Sequence, residues 1–257
     1  MFPILLHLGP LTIRTYGAMV ALAFLAALQV ARMTARVRRI EETFMLDIVA
    51  IAVMTGLLGA RLFYILINWS YFREHPADSF KIWEGGLVFY GGFLLGALVT
   101  NLFARYRGYS MAEVSDCLAP ALAVGQGIGR WGCFFAGCCY GKPTSLPWSV
   151  VFKDPTSLAP LGVELHPVQL YESAGDFVIA FILWQVLVRR KETKGQVIWL
   201  YVLLYGILRF AMETLRGDDR GAMHGGLSPS QLIALAAILV SGSIFLVQAT
   251  SKHVTHA

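Results

Sequence analysis

Toward the C-terminal end, Tyr205, Arg209, Glu213 and Arg216 follow one another at steps of four, four and three. On a helix that spacing predicts four side chains on one face. They lie in and at the end of an apolar run, where a polar stripe must face protein or a cavity rather than lipid. A second cation, Arg130, stands where an apolar run stops, inside the stretch Gly125 to Gly141 that reads G-Q-G-I-G-R-W-G-C-F-F-A-G-C-C-Y-G. A third, Arg61, follows Gly56 and Gly59 within another apolar run. A guanidinium at the bilayer centre costs roughly 2.5 to 3.5 kcal/mol on insertion scales, and less near a span end where it can snorkel. The bland account is snorkelling with a structural partner, such as Arg209 with Glu213 one turn on. The functional account is an anion site. A planar guanidinium grips phosphate oxygens in pairs and does not lose its proton, and the common anion at that depth is a phospholipid headgroup.

The residues around these cations leave alternatives open. Glycines such as Gly127, Gly129 and Gly141 let helices touch or let backbone N–H groups reach a ligand. The G-x-G-x-G at 125–129 follows no strand, so it is not a dinucleotide fingerprint. Cys133, Cys138 and Cys139 are spaced C-x4-C-C, which matches no common zinc or iron–sulfur pattern, and no metal is expected on that ground. A small disulfide loop between Cys133 and Cys138, a thiol activated by Arg130, and simple packing of small apolar residues all fit. Tyr16, Tyr90, Tyr171 and Tyr205 read first as an aromatic belt. Tyr16 and Tyr205 are each followed by glycine and sit near an arginine, so their phenols are also candidate headgroup ligands.

These side chains need a membrane scaffold. The 257 residues are 56% hydrophobic and only 14% charged, against about 25% charged in soluble domains. Apolar runs long enough to approach the roughly 20 residues of a membrane helix recur throughout. Seven spans are expected, near 13–31, 44–67, 86–104, 113–130, 169–188, 196–212 and 231–249, making an all-α polytopic membrane protein of one domain over 1–257. Met1 to Pro10 lacks a basic segment and a small-residue cleavage site, so the first span should remain as an anchor. The net charge of +5 does not point to nucleic acid, because many cations sit in short loops. Arg32, Arg36, Arg38, Arg39, Arg105, Arg107, Arg189, Arg190, Lys191, Lys194 and Lys252 fall on one side, against Arg73, Lys81, Lys142, Lys153, Arg216 and Arg220 on the other. That excess predicts an outside N-terminus and a cytoplasmic C-terminus. The proline-rich loop at 131–168 should form a small extracytoplasmic cap, with a hairpin around Trp148 to Phe152.

Taken together, these residues resemble the prolipoprotein diacylglyceryl transferase family along nearly the whole chain. Gly9-Pro10 with Tyr16-Gly17, Gly59 to Tyr64 with Arg61, and Trp83-Glu84-Gly85-Gly86 with Gly91-Gly92 look like its first three spans. His166-Pro167, Gln169 and Leu170-Tyr171-Glu172 look like its fifth-span entry, and Tyr205-Gly206, Arg209, Glu213 and Arg216 like its sixth. The family signature G-R-x-G-N-F-x-N-G-E-x-x-G is met at Gly129, Arg130, Gly132, Phe134, Gly137 and Gly141. Cys133, Ala136 and Cys138 replace its two asparagines and its glutamate, and Tyr90 stands where many members have histidine. The resemblance implies a cofactor-free enzyme of the bacterial cytoplasmic membrane. It would move the diacylglyceryl group of phosphatidylglycerol onto the lipobox cysteine of a preprolipoprotein signal peptide, releasing glycerol phosphate. Arg130, Arg209, Tyr16 and Glu213 would then be catalytic, with Arg130, Gly141, Tyr205, Arg61, Arg216 and Tyr90 binding substrate. The substitutions keep a second reading alive: a non-catalytic paralogue that binds phosphatidylglycerol or handles thiols.

Overall fold

A computed structural model describes residues 2–8, 11–81, 85–189, 194–219 and 225–254. Gly9-Pro10, Trp83-Glu84, Arg190, Lys191 and Arg220 lie outside the described residues. A hairpin of β1 (Ile4–Leu8) and β2 (Leu11–Arg14) leads into α1 (Thr15–Arg38) and α2 (Glu42–Ile67). A short α3 (Trp69–Glu74) and a 3-10 turn (Pro76–Phe80) precede α4 (Phe89–Tyr106) and α5 (Met111–Ala136). Strands β3 (Val150–Val151) and β4 (Glu164–Leu165) come next, then α6 (Val168–Arg189), α7 (Gln196–Glu213) and α8 (Pro229–Val254).

The long helices α1, α2 and α4–α8 fall at the seven expected spans. Among the described residues, α1, α2, α6, α7 and α8 are long and apolar enough to cross a membrane. The chain is a polytopic helical membrane protein. Several ends differ from expectation. Helix α1 runs on through Arg32 and Arg36 to Arg38, because arginine is a good helix former once the chain has left the apolar layer. Helix α5 continues to Ala136 instead of stopping at Arg130. Trp131, Phe134 and Phe135 keep it apolar, and Gly137 at φ 76° ends it in the left-handed conformation that favours glycine. The β1–β2 hairpin has no counterpart among the expected elements.

Packing divides the chain into two compact units, 38–114 and the remainder. In the first, α2 and α4 meet backbone to backbone. A Cβ at Gly92 would sit 2.7 Å from the Gly56 carbonyl oxygen, and one at Gly59 would sit 2.7 Å from Leu95 Cβ. Glycine permits that approach. Buried Arg61 donates from Nε to the Ser79 carbonyl at 2.9 Å and from NH1 to those of Gly85 and Gly86 at 2.8 and 3.2 Å; its NH2 donates to the Asp78 carbonyl. Its guanidinium carbon also lies 5.5 and 5.4 Å from the rings of Tyr64 and Phe72.

The second unit is built on α1, α5, α6, α7 and α8. Leu183, Leu187, Val197, Ala119 and Ala123 form a buried cluster joining α5, α6 and α7. Thr34 Oγ1 donates to the Cys117 carbonyl at 2.8 Å, locking α1 to α5. Fully buried Asp116 accepts from the backbone N–H of Gly195 at 2.7 Å and of Ile198 at 2.9 Å. It thus satisfies the start of α7 from a different helix. Asp116→Ala strands those donors and should cost about 1–3 kcal/mol, read as a lower unfolding temperature of the detergent-solubilised protein. The cap expected at 131–168 is present from 137 onward. Val150-Val151 pairs antiparallel with Leu165 and Glu164, over a small core of Phe152, Ala159 and Leu165.

Candidate active site

Glu172 sits on the first turns of α6, its side chain 3% exposed, between two guanidiniums. Arg130 Nε lies 2.7 Å from Glu172 Oε2, an ion pair in which the N–H is not aligned on the oxygen. Arg209 NH1 donates to Glu172 Oε1 at 2.9 Å, and its NH2 lies 2.6 Å from Glu213 Oε2. Glu213 Oε1 in turn accepts from Ser228 Oγ at 2.7 Å. Helices α5, α6, α7 and the start of α8 are therefore joined through one chain of charges, two positive and two negative.

The end of that chain is a cap. Ser228 precedes Pro229, and the Gln231 N–H donates to Ser228 Oγ at 3.2 Å. Gln231 Oε1 accepts from the Ser228 N–H at 3.0 Å, completing a reciprocal capping box. The two arginines differ in what they have left. Arg209 spends both terminal nitrogens on carboxylates. Arg130, 17% exposed, makes no hydrogen bond among the described residues, so its donors are unspent.

Around Arg130 the backbones are close. A Cβ on Gly132 would lie 3.2 Å from Met19 Cβ and 3.3 Å from Tyr16 Cδ2, so α1 abuts α5. A Cβ on Gly127 would lie 3.2 Å from the Phe177 ring, and the Gly127 carbonyl accepts from Ser173 Oγ at 2.8 Å. The Tyr201 hydroxyl donates to Gln126 Oε1. Asp176, one turn beyond Glu172, is fully buried with neither carboxylate oxygen hydrogen-bonded among the described residues.

Beyond the helix ends a backbone seam closes the site. Gly141 bridges Arg216, with Lys142 N–H donating to the Leu215 carbonyl at 2.8 Å and Gly217 N–H to the Tyr140 carbonyl at 3.0 Å. Arg216 is buried and grips Asp218 with two hydrogen bonds of 2.9 and 2.7 Å. A Cβ on Gly141 would fall 2.5 Å from the His166 carbonyl oxygen and 2.7 Å from Val168 Cγ2. Backbone cannot swing aside there, so Gly141→Ala should open the seam. The expected result is a transfer rate lowered by about 10²-fold through misplacement of the site, checked on membranes holding equal amounts of variant and wild type.

The family model described as prolipoprotein diacylglyceryl transferase matches residues 3–247. The chain belongs to that family. The phosphatidylglycerol–prolipoprotein diacylglyceryl transferase of Clostridium tetani (strain Massachusetts / E88) is 38% identical over 246 residues, covering 95% of this chain and 97% of that one. Those of Finegoldia magna (strain ATCC 29328 / DSM 20472 / WAL 2508) and Geobacter sulfurreducens (strain ATCC 51573 / DSM 12127 / PCA) are 36% identical over 233 and 244 residues. They cover 91% and 93% of this chain, and 90% and 92% of their own.

In this family member the expected site residues are partly united. Arg130, Arg209 and Glu213 share one cluster. Tyr205, stacked on Tyr201 with ring centroids 5.7 Å apart, lies close enough to Arg130 to interact with its charge. Tyr16 is 46% exposed on α1 and lines a cavity of about 280 Å³ with Pro3, Arg14, Ala136, Cys138, Thr156 and Leu158. Arg216 departs from the expected stripe. Helix α7 ends at Glu213, and Arg216 is held by the seam to Gly141 instead of the helix face. Arg61 and Tyr90 belong to the 38–114 unit, where Tyr90 is exposed on the first turn of α4.

Glu172 is the central residue that spacing alone did not single out. A carboxylate inside the fifth span carries the same signal as the buried arginines and was legible on that ground. Ser228-x-x-Gln231 before an apolar run was likewise readable as a capping box. Nothing in the sequence paired Gln126 with Tyr201.

Proposed function

We propose that this protein transfers the diacylglyceryl group of phosphatidylglycerol to the lipobox cysteine thiol of a preprolipoprotein. A thioether forms and glycerol phosphate leaves. The observation that carries this reading is the Arg130 guanidinium, held in place by Glu172 yet with its hydrogen-bond donors unspent, six residues before the end of α5 at Ala136. The reaction needs a fixed cation where negative charge grows on a departing phosphate, in surroundings poor in water. Arg130 is the catalytic residue of this scheme. Arg209 and Glu213 are positioning residues, since their charges are spent on each other and on Glu172.

Tyr16, which lines the cavity, offers a phenol to the headgroup or peptide. Tyr205 backs Arg130, and the Gly141–Arg216 seam holds the cap against the ends of α5 and α7. In the 38–114 unit, Arg61 holds the carbonyls of Asp78, Ser79, Gly85 and Gly86, and Tyr90 presents a phenol to lipid headgroups. The cation excess in the loops supports insertion in the cytoplasmic membrane with the N-terminus outside and the C-terminus inside.

Membranes containing the protein, phosphatidylglycerol and a lipobox peptide should yield peptide heavier by one diacylglyceryl group. A peptide with serine for the lipobox cysteine should be unchanged. No mass gain from folded wild-type protein overturns the reading, and retained phosphatidylglycerol binding would then identify a lipid-binding paralogue.

A further inference from the structure

Three thiols meet where α5 ends, and the scheme above gives them no task. The Sγ atoms of Cys133, Cys138 and Cys139 all lie within 4.8 Å of one another. The C-x4-C-C spacing concealed this, because the grouping depends on a turn. Cys133 rides the last turn of α5, Gly137 reverses the chain at φ 76°, and Cys139 is held at φ 60°, uncommon for a residue with a side chain. The loop is pinned from outside the cluster. Buried Gln169 donates from Nε2 to the Cys138 carbonyl at 2.8 Å, and the Gly217 N–H takes the Tyr140 carbonyl at 3.0 Å.

We infer that Cys133, Cys138 and Cys139 are three ligands of a zinc ion whose fourth position receives the thiol of the acceptor peptide. Zinc–sulfur bonds of about 2.3 Å in a tetrahedron separate sulfurs by about 3.8 Å, which small rotamer shifts of these three side chains reach. Three protein ligands with one position open is the pattern of reactive zinc, whereas structural sites close all four. Thiolate is the ligand class that selects zinc over magnesium or calcium.

The charges agree. Three thiolates and Zn²⁺ leave one negative charge. The Arg216 guanidinium lies close enough to Cys139 for its charge to act on the thiol, and Arg130 lies close enough to Cys133 and Cys139 to act on both. Cys138 also lines the cavity of about 280 Å³ that Tyr16 borders, so the open position has room beside it for a peptide side chain.

The inference rests on the transferase reading for its fourth ligand and supplies a step that reading lacks. Glu172 and Glu213 are both engaged by guanidiniums, and that scheme names no group to take the proton of the acceptor thiol. A thiol that coordinates zinc gives up its proton outright, here to water. A lone pair on the bound sulfur then forms the C–S bond to the terminal glycerol carbon of the lipid. The C–O bond to phosphate breaks, its electron pair stays on the phosphate oxygen, and glycerol phosphate leaves as the dianion beside Arg130. The thioether is a poor ligand and departs, with zinc unchanged at +2.

Cobalt(II) titrated into metal-stripped, phosphine-reduced protein in detergent tests the site. One equivalent should bind, with sulfur-to-cobalt charge-transfer bands that zinc abolishes. Cys133→Ser, Cys138→Ser and Cys139→Ser should each weaken the bands and the triple variant should lose them, with helical circular dichroism retained. A cysteine lipobox peptide should shift the bands, and the serine peptide should not. Absence of charge-transfer bands in reduced wild type, or bands indifferent to Cys138→Ser, overturns the zinc site. Bands unmoved by the cysteine peptide overturn the fourth-ligand role. Peptide mass gain measured on the same preparation keeps the two readings apart. Full transfer after chelation sinks the zinc inference alone, whereas bands that respond to a peptide never modified sink the transferase alone.

Discussion

Arg130→Ala is expected to lower diacylglyceryl transfer by about 10²- to 10³-fold with the fold intact. Removing this side chain does not strand its partner, because Glu172 Oε1 keeps its 2.9 Å hydrogen bond from Arg209. The loss therefore reports the phosphate cation and not collapse of the cluster. Arg130→Lys should recover only part of the rate. An ammonium restores charge but not the planar fork that grips two phosphate oxygens while its Nε stays on Glu172. The measurement is the initial rate of peptide mass gain in vesicles containing phosphatidylglycerol. If the alanine variant keeps more than about a tenth of the wild-type rate, Arg130 is not the group that meets the leaving phosphate.

Glu172→Ala should be the most destabilising single change in the cluster, about 3–5 kcal/mol. Its carboxylate is buried between Arg130 and Arg209. Without it Arg130 loses its only ion pair among the described residues, and two guanidiniums face each other at low dielectric. Glu172→Gln keeps shape and one acceptor oxygen but not the charge, so it should be intermediate. The double variant Arg130→Ala with Glu172→Ala should be more stable than the sum of the two single losses, because it leaves one guanidinium that Glu213 can still neutralise. Unfolding temperatures of the four proteins in one detergent give the cycle. Strictly additive losses would mean that Glu172 and Arg130 are not coupled, and the account of how Arg130 is held would fail.

The positions of the seven long helices were legible because a membrane helix must be apolar over its length, whatever its neighbours do. Helix ends were less so. Arg130 looked like a terminus because charge usually marks one, but Phe134 and Phe135 carry α5 on to the glycine that can turn. Arg216 looked like part of a helical stripe because spacing presumes the helix continues, yet the chain leaves α7 at Glu213 to pair with Gly141. The partners of the buried charges were the least legible. Arg209 with Glu213 is local, one turn apart, and spacing found it. Arg130 with Glu172 joins two helices, and no pattern within either one names the other.

By itself, then, the sequence determined the membrane class and the family, and singled out Arg130 and Arg209 as charges set in apolar runs. Those rest on residue type and short-range period. Tertiary structure decided which arginine keeps free donors, which carboxylate bridges the two, and that three cysteines on a turn share one point in space. Each of these depends on helix ends and loop reversals that bring distant positions within a few ångströms. Charge and thiol chemistry act only over such distances.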